Sequence, residues 1–171
     1  PKRDWSSDVC SSDLPLYRRA LAIDEKSHGP DHPDVARDLN NLAGLLQATN
    51  RGVEVEPLYR RVVSIFEVSY GADHPNVATA LNNLAGLLRA TNRLAEAEPM
   101  YRRALAVDEK SLGPDHPNVA RDLNNLASLL EATNRLAEAE PLSRRQLEIF
   151  LKFTASTGHQ HPHLEAAVNN Y

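Results

Sequence analysis

Cysteine and aromatic residues are scarce in this chain: one of its 171 residues is Cys, and Phe, Trp and Tyr together make up 5%. A single cysteine forms no disulfide within the chain and offers no cluster of thiolates to zinc. No run of 18 apolar residues occurs, so the sequence predicts no transmembrane helix. The formal net charge of −4 provides no basic surface of the kind that nucleic acid binding needs. These absences exclude disulfide-rich, thiolate-zinc, membrane-spanning and nucleic-acid-binding proteins. Cysteine usage does not assign a compartment, and the cytoplasm is the expectation.

The chain is instead rich in self-similarity. The string Leu-Asn-Asn-Leu-Ala occurs at residues 39–43, 81–85 and 123–127. Its neighbourhood repeats with the same period, since Pro15, Pro57, Pro99 and Pro141 follow one another at intervals of 42 residues. A fixed period of this length indicates a repeat array, in which neighbouring copies build the core together.

Residues 1–14 do not fit the repeat. The string at residues 4–14, DWSSDVCSSDL, looks like an in-frame translation of a common sequencing-library adapter, and agreement with the repeat begins at Pro15. We expect this segment to be non-native, so that Trp5 and Cys10 carry no functional information. We also expect the native N-terminus to be missing and the chain to be a fragment at both ends.

Each copy reads as two helices. Apolar residues at Val35, Leu39, Leu42 and Leu46 form one stripe of a first helix from Pro33 to Ala48. The sequence predicts a tight turn at residues 49–51, with Asn50 tolerant of a left-handed conformation. A second helix then runs from about Arg51 to Tyr70 and carries Pro57 beyond its first turn.

Between copies, the loop Gly-x-Asp-His-Pro is expected to end one helix and begin the next, with glycine at positive φ and proline in the first turn. This periodicity defines six segments: the adapter-like segment 1–14, the second helix of a truncated repeat at 15–28, complete repeats at 33–70, 75–112 and 117–154, and the start of a truncated repeat at 162–171.

The pattern resembles the tetratricopeptide repeat. Leu39-x2-Leu42-Ala43-x2-Leu46 in the first helix and Ala97-x3-Tyr101 in the second correspond to the family's W-x2-L-G-x2-Y and A-x3-F, although leucine replaces both aromatics of the first helix. The period of 42 and the GPDHPNVA, LNNLA and AEPLYRRALAI strings resemble the repeats of kinesin light chains and their bacterial relatives. The resemblance implies an all-α fold, a right-handed α-solenoid of stacked antiparallel helix pairs.

The resemblance also implies a peptide-binding groove formed by the first helices, in which asparagines bind the backbone of an extended peptide. The asparagines that match this pattern are Asn40, Asn41, Asn82, Asn83, Asn124 and Asn125. An amide offers two donors and an acceptor to main-chain groups of any sequence. Alternatively, one or both asparagines of each pair stabilise neighbouring helices, or persist from recent duplication.

Specificity should come from positions on this face that differ between copies. These positions are Arg37, Thr79 and Arg121 on one side of the asparagines and Gln47, Arg89 and Glu131 on the other. Three arginines against one glutamate predict a slightly basic groove, and hence a protein or peptide partner that is extended and acidic.

Histidines and catalytic motifs complete the search. His32, His74 and His116 recur once per copy, too far apart to share a metal ion, and we expect them to start helices. His159, His161 and His163 are close in sequence but have no acidic or cysteine partner nearby. No glycine-rich phosphate loop, HExxH or GxSxG motif is present. The sequence therefore predicts a binding module with no enzymatic activity, no cofactor and no metal.

Two alternatives stay open. In bacterial relatives such arrays often form the sensor arm of a larger protein with an NTPase, protease or kinase domain. The array could also be structural, with solenoids stacking end to end.

Overall fold

The structure, a computed structural model, describes residues 5–49, 52–158, 162, 164, 167 and 168, with side chains from residue 13 onwards. The α-helices of these residues are α1 (Trp5–His28), α2 (Pro33–Ala48), α3 (Val55–Tyr70), α4 (Pro75–Ala90), α5 (Leu94–Leu112), α6 (Pro117–Ala132) and α7 (Leu136–Thr157). A short 3-10 helix, Gly52–Glu54, precedes α3, and the described residues contain no strand. The all-α prediction is confirmed.

The helices fall into two compact units that divide after Ala72. In the N-terminal unit, α2 packs against both α1 and α3. In the C-terminal unit, α4 packs on α5 and α6 on α7, while α5 joins the two pairs by packing on α6. Each unit is thus built from antiparallel helix pairs, as the repeat pattern predicts. No helix of the described part is both long and apolar enough to cross a membrane.

The apolar stripes of the first helices form the core. Val35, Leu39, Leu42 and Leu46 of α2 are buried, and α6 buries the corresponding residues. The prediction of a first helix from Pro33 to Ala48 is therefore confirmed. In α6, Leu123 packs with Ile149 and Phe150 of α7 and with Leu164 in one buried cluster. Because the buried leucines lie on one face of each first helix, the polar residues between them lie on another face, which is available for other contacts.

The second helices differ at their start. We predicted that the second helix of residues 33–70 begins near Arg51, but α3 begins at Val55, whereas α5 and α7 begin at Leu94 and Leu136. Gly52 occupies the place of those leucines, and glycine costs a helix about 1 kcal/mol relative to alanine. Pro57 consequently lies in the first turn of α3, and the prediction that it lies beyond that turn is wrong.

The turns within and between copies take the predicted backbone conformations. Gly29, Gly71 and Gly113 have φ of 92°, 88° and 91°, the region that glycine alone adopts without strain. Asn92 and Asn134 are left-handed at φ of 60° and 59°, while their counterpart Asn50 lies outside the described residues. The second helices α5 and α7 therefore start after a turn that asparagine accommodates.

Other predicted segments are only partly described. Helix α1 runs without interruption through Leu14 and Pro15, so the predicted non-native segment has no structural boundary at residue 14, and its origin stays a prediction. Helix α7 continues to Thr157, three residues beyond the predicted repeat. His159, His161 and His163 lie outside the described residues, as does most of the truncated repeat at 162–171.

Histidine caps the N-terminus of each first helix. The Nδ1 atoms of His32, His74 and His116 accept hydrogen bonds from the backbone N–H two residues later, at 3.2, 3.1 and 3.1 Å. The proline that follows needs no such partner, because it has no N–H. The helix-start role predicted for these histidines is confirmed.

Replacing His116 by alanine should lower the free energy of unfolding by about 1 kcal/mol, because the cap acceptor is lost. His116→Asn should keep most of the wild-type stability, since the amide oxygen of asparagine can also accept from the N–H of Asn118. Urea unfolding of the two variants makes the comparison. Equal losses would show that the imidazole acts by packing rather than as a cap.

Candidate functional site

The asparagines predicted to line the groove lie on the first helices and differ in their exposure to solvent. Asn41 of α2 is exposed, Asn40 is half-buried, and Asn82 of α4 is buried. Asn83, Asn124 and Asn125 are half-buried. Their leucine neighbours are buried throughout, so the repeated string places its leucines in the core and most of its amides at the edge of the core.

Two of the asparagines are joined across the C-terminal unit. Asn125 donates through Nδ2 to Oδ1 of Asn82 at 3.2 Å. Asn82 in turn donates through Nδ2 to the carbonyl of Ala78 at 3.1 Å and to Oδ1 of Asp122 at 2.8 Å. This chain of hydrogen bonds links α4 to α6. The alternative that one asparagine of a pair stabilises neighbouring helices therefore describes Asn82, and its role in peptide binding stays a prediction.

Asp122 belongs to a buried acidic pair that holds an arginine. Asp108 of α5 and Asp122 of α6 are both completely buried. The guanidinium of Arg121 donates through Nη2 to Asp108 Oδ2 at 3.4 Å and to Asp122 Oδ1 at 3.1 Å. One oxygen of each carboxylate, Asp108 Oδ1 and Asp122 Oδ2, has no hydrogen-bond partner. The arginine and the two aspartates thus form a polar contact between two successive repeats.

Burial dominates the ionisation of this pair. It raises the pKa of Asp122 to about 7, with the charge of Asp108 adding to the effect and Arg121 and Asn82 opposing it. Burial also raises the pKa of Asp108, and Arg121 and a hydrogen bond with Asp122 offset it only in part. Near neutral pH Asp122 is therefore about half protonated, chiefly because burial disfavours its charged form.

The N-terminal unit contains the same arrangement in a more open form. Arg37 of α2 donates to Asp34 at 2.7 Å and lies 3.5 Å from Asp24 and 3.7 Å from Asp38. Burial raises the pKa of Asp38, and the charge of Asp24 adds to this. Oδ2 of Asp38 is buried without a partner, like its counterpart in Asp122.

These clusters change the charge expected of the groove. Arg37 and Arg121 were counted as free positive charges, but carboxylates of the chain itself surround both. Sequence reasoning missed the clusters, although a signal exists: aspartate recurs at 24 and 108 and again at 38 and 122, two repeats apart, while the intervening copy has Phe66 and Ala80. Among the described residues, the arginine of the predicted site that remains exposed outside such a cluster is Arg89.

The variable positions beyond the asparagines face tyrosines of the second helices. The hydroxyl of Tyr59 donates to Gln47 Oε1 at 2.9 Å. Arg89 occupies the same place on α4, where its charge acts on Tyr101, although burial dominates and raises the pKa of that hydroxyl. Glu131 of α6 is exposed, and Ser143 stands where the other copies have tyrosine. Each copy therefore presents a different polar group at one register of the first helix.

Comparisons with known proteins show which family and which solved structures this chain resembles. The tetratricopeptide repeat family matches residues 14–67, 39–110 and 87–152. A search of the curated proteins finds no significant match.

Solved structures with the same fold include the crystal structure of BtubC (BKLC) from P. vanneervenii. Its TM-score is 0.77 at 24% identity over 91% of this chain and 60% of that one. A putative kinesin light chain from Podosopora anserina with nearly identical TPR-like repeats has a TM-score of 0.75 at 24% identity, over 92% of this chain and 74% of that one. This chain therefore spans about 60% of the length of BtubC.

At this identity the solved structures show the fold alone, and they agree with the resemblance to kinesin light chains. The family match covers most of the chain, and the helix pairs recur at its period. The chain therefore belongs to the tetratricopeptide repeat family.

Proposed function

We propose that this chain binds a protein partner by holding an extended segment of it against the polar face of the first helices. The tetratricopeptide repeat is a general protein-interaction fold. The observation that carries the proposal is the position of Asn124, which is half-buried on α6 and precedes Asn125 in the sequence. An amide in that place can donate to and accept from a peptide backbone without regard to its sequence.

The N-terminal unit offers an exposed amide at Asn41 of α2, which stands at the repeat position of Asn83 and Asn125, one residue after the position of Asn124. Within the described part of the chain, neither Asn41 nor Asn124 makes a side-chain hydrogen bond to another residue. Binding at these positions therefore breaks no side-chain hydrogen bond to the part of the chain that the structure describes, whereas at Asn82 it would have to displace Asp122.

The charges of the groove contribute less to partner binding than the residues at these positions predict from sequence alone. Arg37 and Arg121 already contact aspartates, so a partner's carboxylate gains little from them. Arg89 remains as the cation of the groove in the C-terminal unit, with Glu131 as its anion. We therefore propose a partner bound chiefly through its backbone, with a modest preference for acidic segments that depends on Arg89.

Fluorescence titration with a panel of acidic, neutral and basic peptides tests this proposal. Asn124→Ala and Asn41→Ala should each weaken binding about tenfold or less, as expected for one or two hydrogen bonds. Glu140→Gln, on an exposed position of α7, should leave the affinity unchanged. Equal affinities of the wild-type chain and both asparagine variants would rule out the amide-based groove.

The charge preference is tested separately. Arg89→Gln introduces Gln, the residue that α2 has at this repeat position (Gln47). It should weaken the binding of acidic peptides and leave the binding of neutral peptides unchanged. Raising the salt concentration should do the same, because exposed charge pairs are screened. Acidic and neutral peptides that bind equally at every salt concentration would rule out the acidic preference.

A further inference from the structure

The loop between α1 and α2 brings together two histidines and an aspartate. His28 ends α1, His32 caps α2, and Asp34 lies in the first turn of α2. Their imidazole rings stack with centroids 4.7 Å apart, and one potential ligand atom of each of the three residues lies within 4.8 Å of the other two. We propose that His28, His32 and Asp34 bind a divalent transition metal ion of the Zn²⁺ class.

Carboxylates lie beside the Nδ1 atoms of both rings. Nδ1 of His28 is 3.9 Å from Asp24 Oδ1, and Nδ1 of His32 is 3.4 Å from Asp34 Oδ2. Histidines that bind metal through Nε2 commonly place a carboxylate or carbonyl at Nδ1, which fixes the tautomer and makes the ring a better ligand. This favours Nε2 of His28 as a ligand. At His32 the Asp34 carboxylate lies on the Nδ1 side, so the other two ligands are Nδ1 of His32 and Oδ2 of Asp34, whose Oδ1 accepts from Arg37.

Metal binding would involve the nitrogen of His32 that caps α2. In the metal-free loop, Nδ1 of His32 accepts the N–H of Asp34, so the ring proton is on Nε2. A metal ion that binds Nδ1 of His32 takes the lone pair that accepts this N–H, and the ring proton stays on Nε2. The ion therefore competes with a helix cap, and we expect an affinity in the micromolar range rather than that of a structural zinc site.

The ligand set is specific to this copy of the repeat. His32 has counterparts in His74 and His116, but Tyr70 and Leu112 stand in the place of His28, and Asn76 and Asn118 in the place of Asp34. Two of the three ligands thus occur only in the copy where all three meet. Sequence analysis missed the set because it compared histidines between copies rather than within one loop.

The side chains must close slightly around an ion. Ligand atoms of a tetrahedral zinc site with bonds of roughly 2.0–2.1 Å lie about 3.3 Å apart, closer than in this loop. His28 is exposed at the end of its helix, so its ring can turn with little cost in packing. Two imidazoles and a carboxylate leave the remaining position to water, as in sites with three protein ligands.

Isothermal titration of the chain with Zn²⁺ tests the proposal, with Co²⁺ absorption as a second readout of the coordination geometry. The reference protein carries Cys10→Ser and alanine at His159, His161 and His163, which removes the other clustered ligands. We expect one site in this protein, and a loss of at least tenfold in affinity in His28→Leu and in Asp34→Asn. These variants introduce the residues of the third copy and keep the backbone N–H that caps α2.

His74→Ala is the matched control, because His74 has no such neighbours in its own loop; it should leave Zn²⁺ affinity unchanged. Circular dichroism confirms that each variant remains helical. Absence of a site with a dissociation constant below 1 mM in the reference protein, or an affinity that His28→Leu and Asp34→Asn leave unchanged, would overturn the proposal.

Discussion

Leu123→Ala should lower the free energy of unfolding by about 3 kcal/mol, within the range of 2–5 kcal/mol that buried leucines give. Leu123 is completely buried and packs with Ile149 and Phe150 of α7. Truncation removes this contact and leaves a cavity between two rigid helices, which cannot collapse to fill it. Unfolding in urea, followed by circular dichroism, measures the loss.

Two controls isolate the effect of burial. Leu136→Ala removes the same atoms from a side chain that is 59% exposed and should change stability by less than about 0.5 kcal/mol. Asn124→Ala alters the residue next to Leu123 and should likewise leave stability nearly unchanged while weakening peptide binding. A loss for Asn124→Ala as large as that for Leu123→Ala would show that the amide is structural, and would argue against the proposed groove.

Stability of the C-terminal unit should fall as the pH rises from about 4 to about 7. The pKa of Asp122 is about 7 in the folded protein and 3.8 as its ordinary value, so the folded state binds more protons in this window. Above the folded pKa the protein holds a second buried negative charge beside Asp108, and the loss is complete. A shift of this size corresponds to at most roughly 4–5 kcal/mol, since one pKa unit is about 1.4 kcal/mol.

Asp122→Asn should remove most of this pH dependence. The asparagine oxygen still accepts from Asn82, but the side chain never becomes charged. Urea midpoints at pH 5 and pH 8 measure the difference, which should be large in the wild-type chain and small in the variant. Asp115→Asn, an exposed aspartate paired with Lys152, is the matched control and should retain the wild-type dependence. A wild-type midpoint that rises with pH would contradict the pKa assigned to Asp122.

Acidic groups with lowered pKa values act in the opposite direction at lower pH. Hydrogen bonds from Arg135, assisted by Arg102, lower the pKa of Glu98, and Arg135 likewise lowers that of Glu138. Their contributions are present above their ordinary pKa values and are lost as the pH falls further. Maximum stability is therefore expected near pH 4–5 rather than at neutral pH.

Most of the fold could be predicted because each copy repeats the same local signals. The spacing of Leu39, Leu42 and Leu46 fixes a helical stripe, and glycine and His-Pro in the loop fix where helices end and begin. These signals act within a few residues of the chain. The start of α3 was predicted incorrectly because one residue, Gly52, weakens the first turn while the rest of the copy matches its neighbours.

The candidate site was less predictable, since its chemistry arises between residues far apart in sequence. Composition counted Arg121 as a free charge, and the string around Asn82 and Asn125 is the same in every copy. Whether an amide is exposed or hydrogen-bonded depends on what the next helix places against it. Asn82 is bound because Asp122 faces it, while Asn124, at the same position of the next copy, makes no such bond among the described residues.

The sequence by itself determined the repeat, the helix pairs, the loop conformations and the family, because short-range propensity and periodic burial decide these features. Tertiary structure alone decided which polar residues lie together: Asp108 with Asp122 and Arg121, and His28 with His32 and Asp34. The interaction energy of charges on different helices depends on the distance between them and on how far they are removed from water. Neither the distance nor the desolvation can be read from the order of residues along the chain.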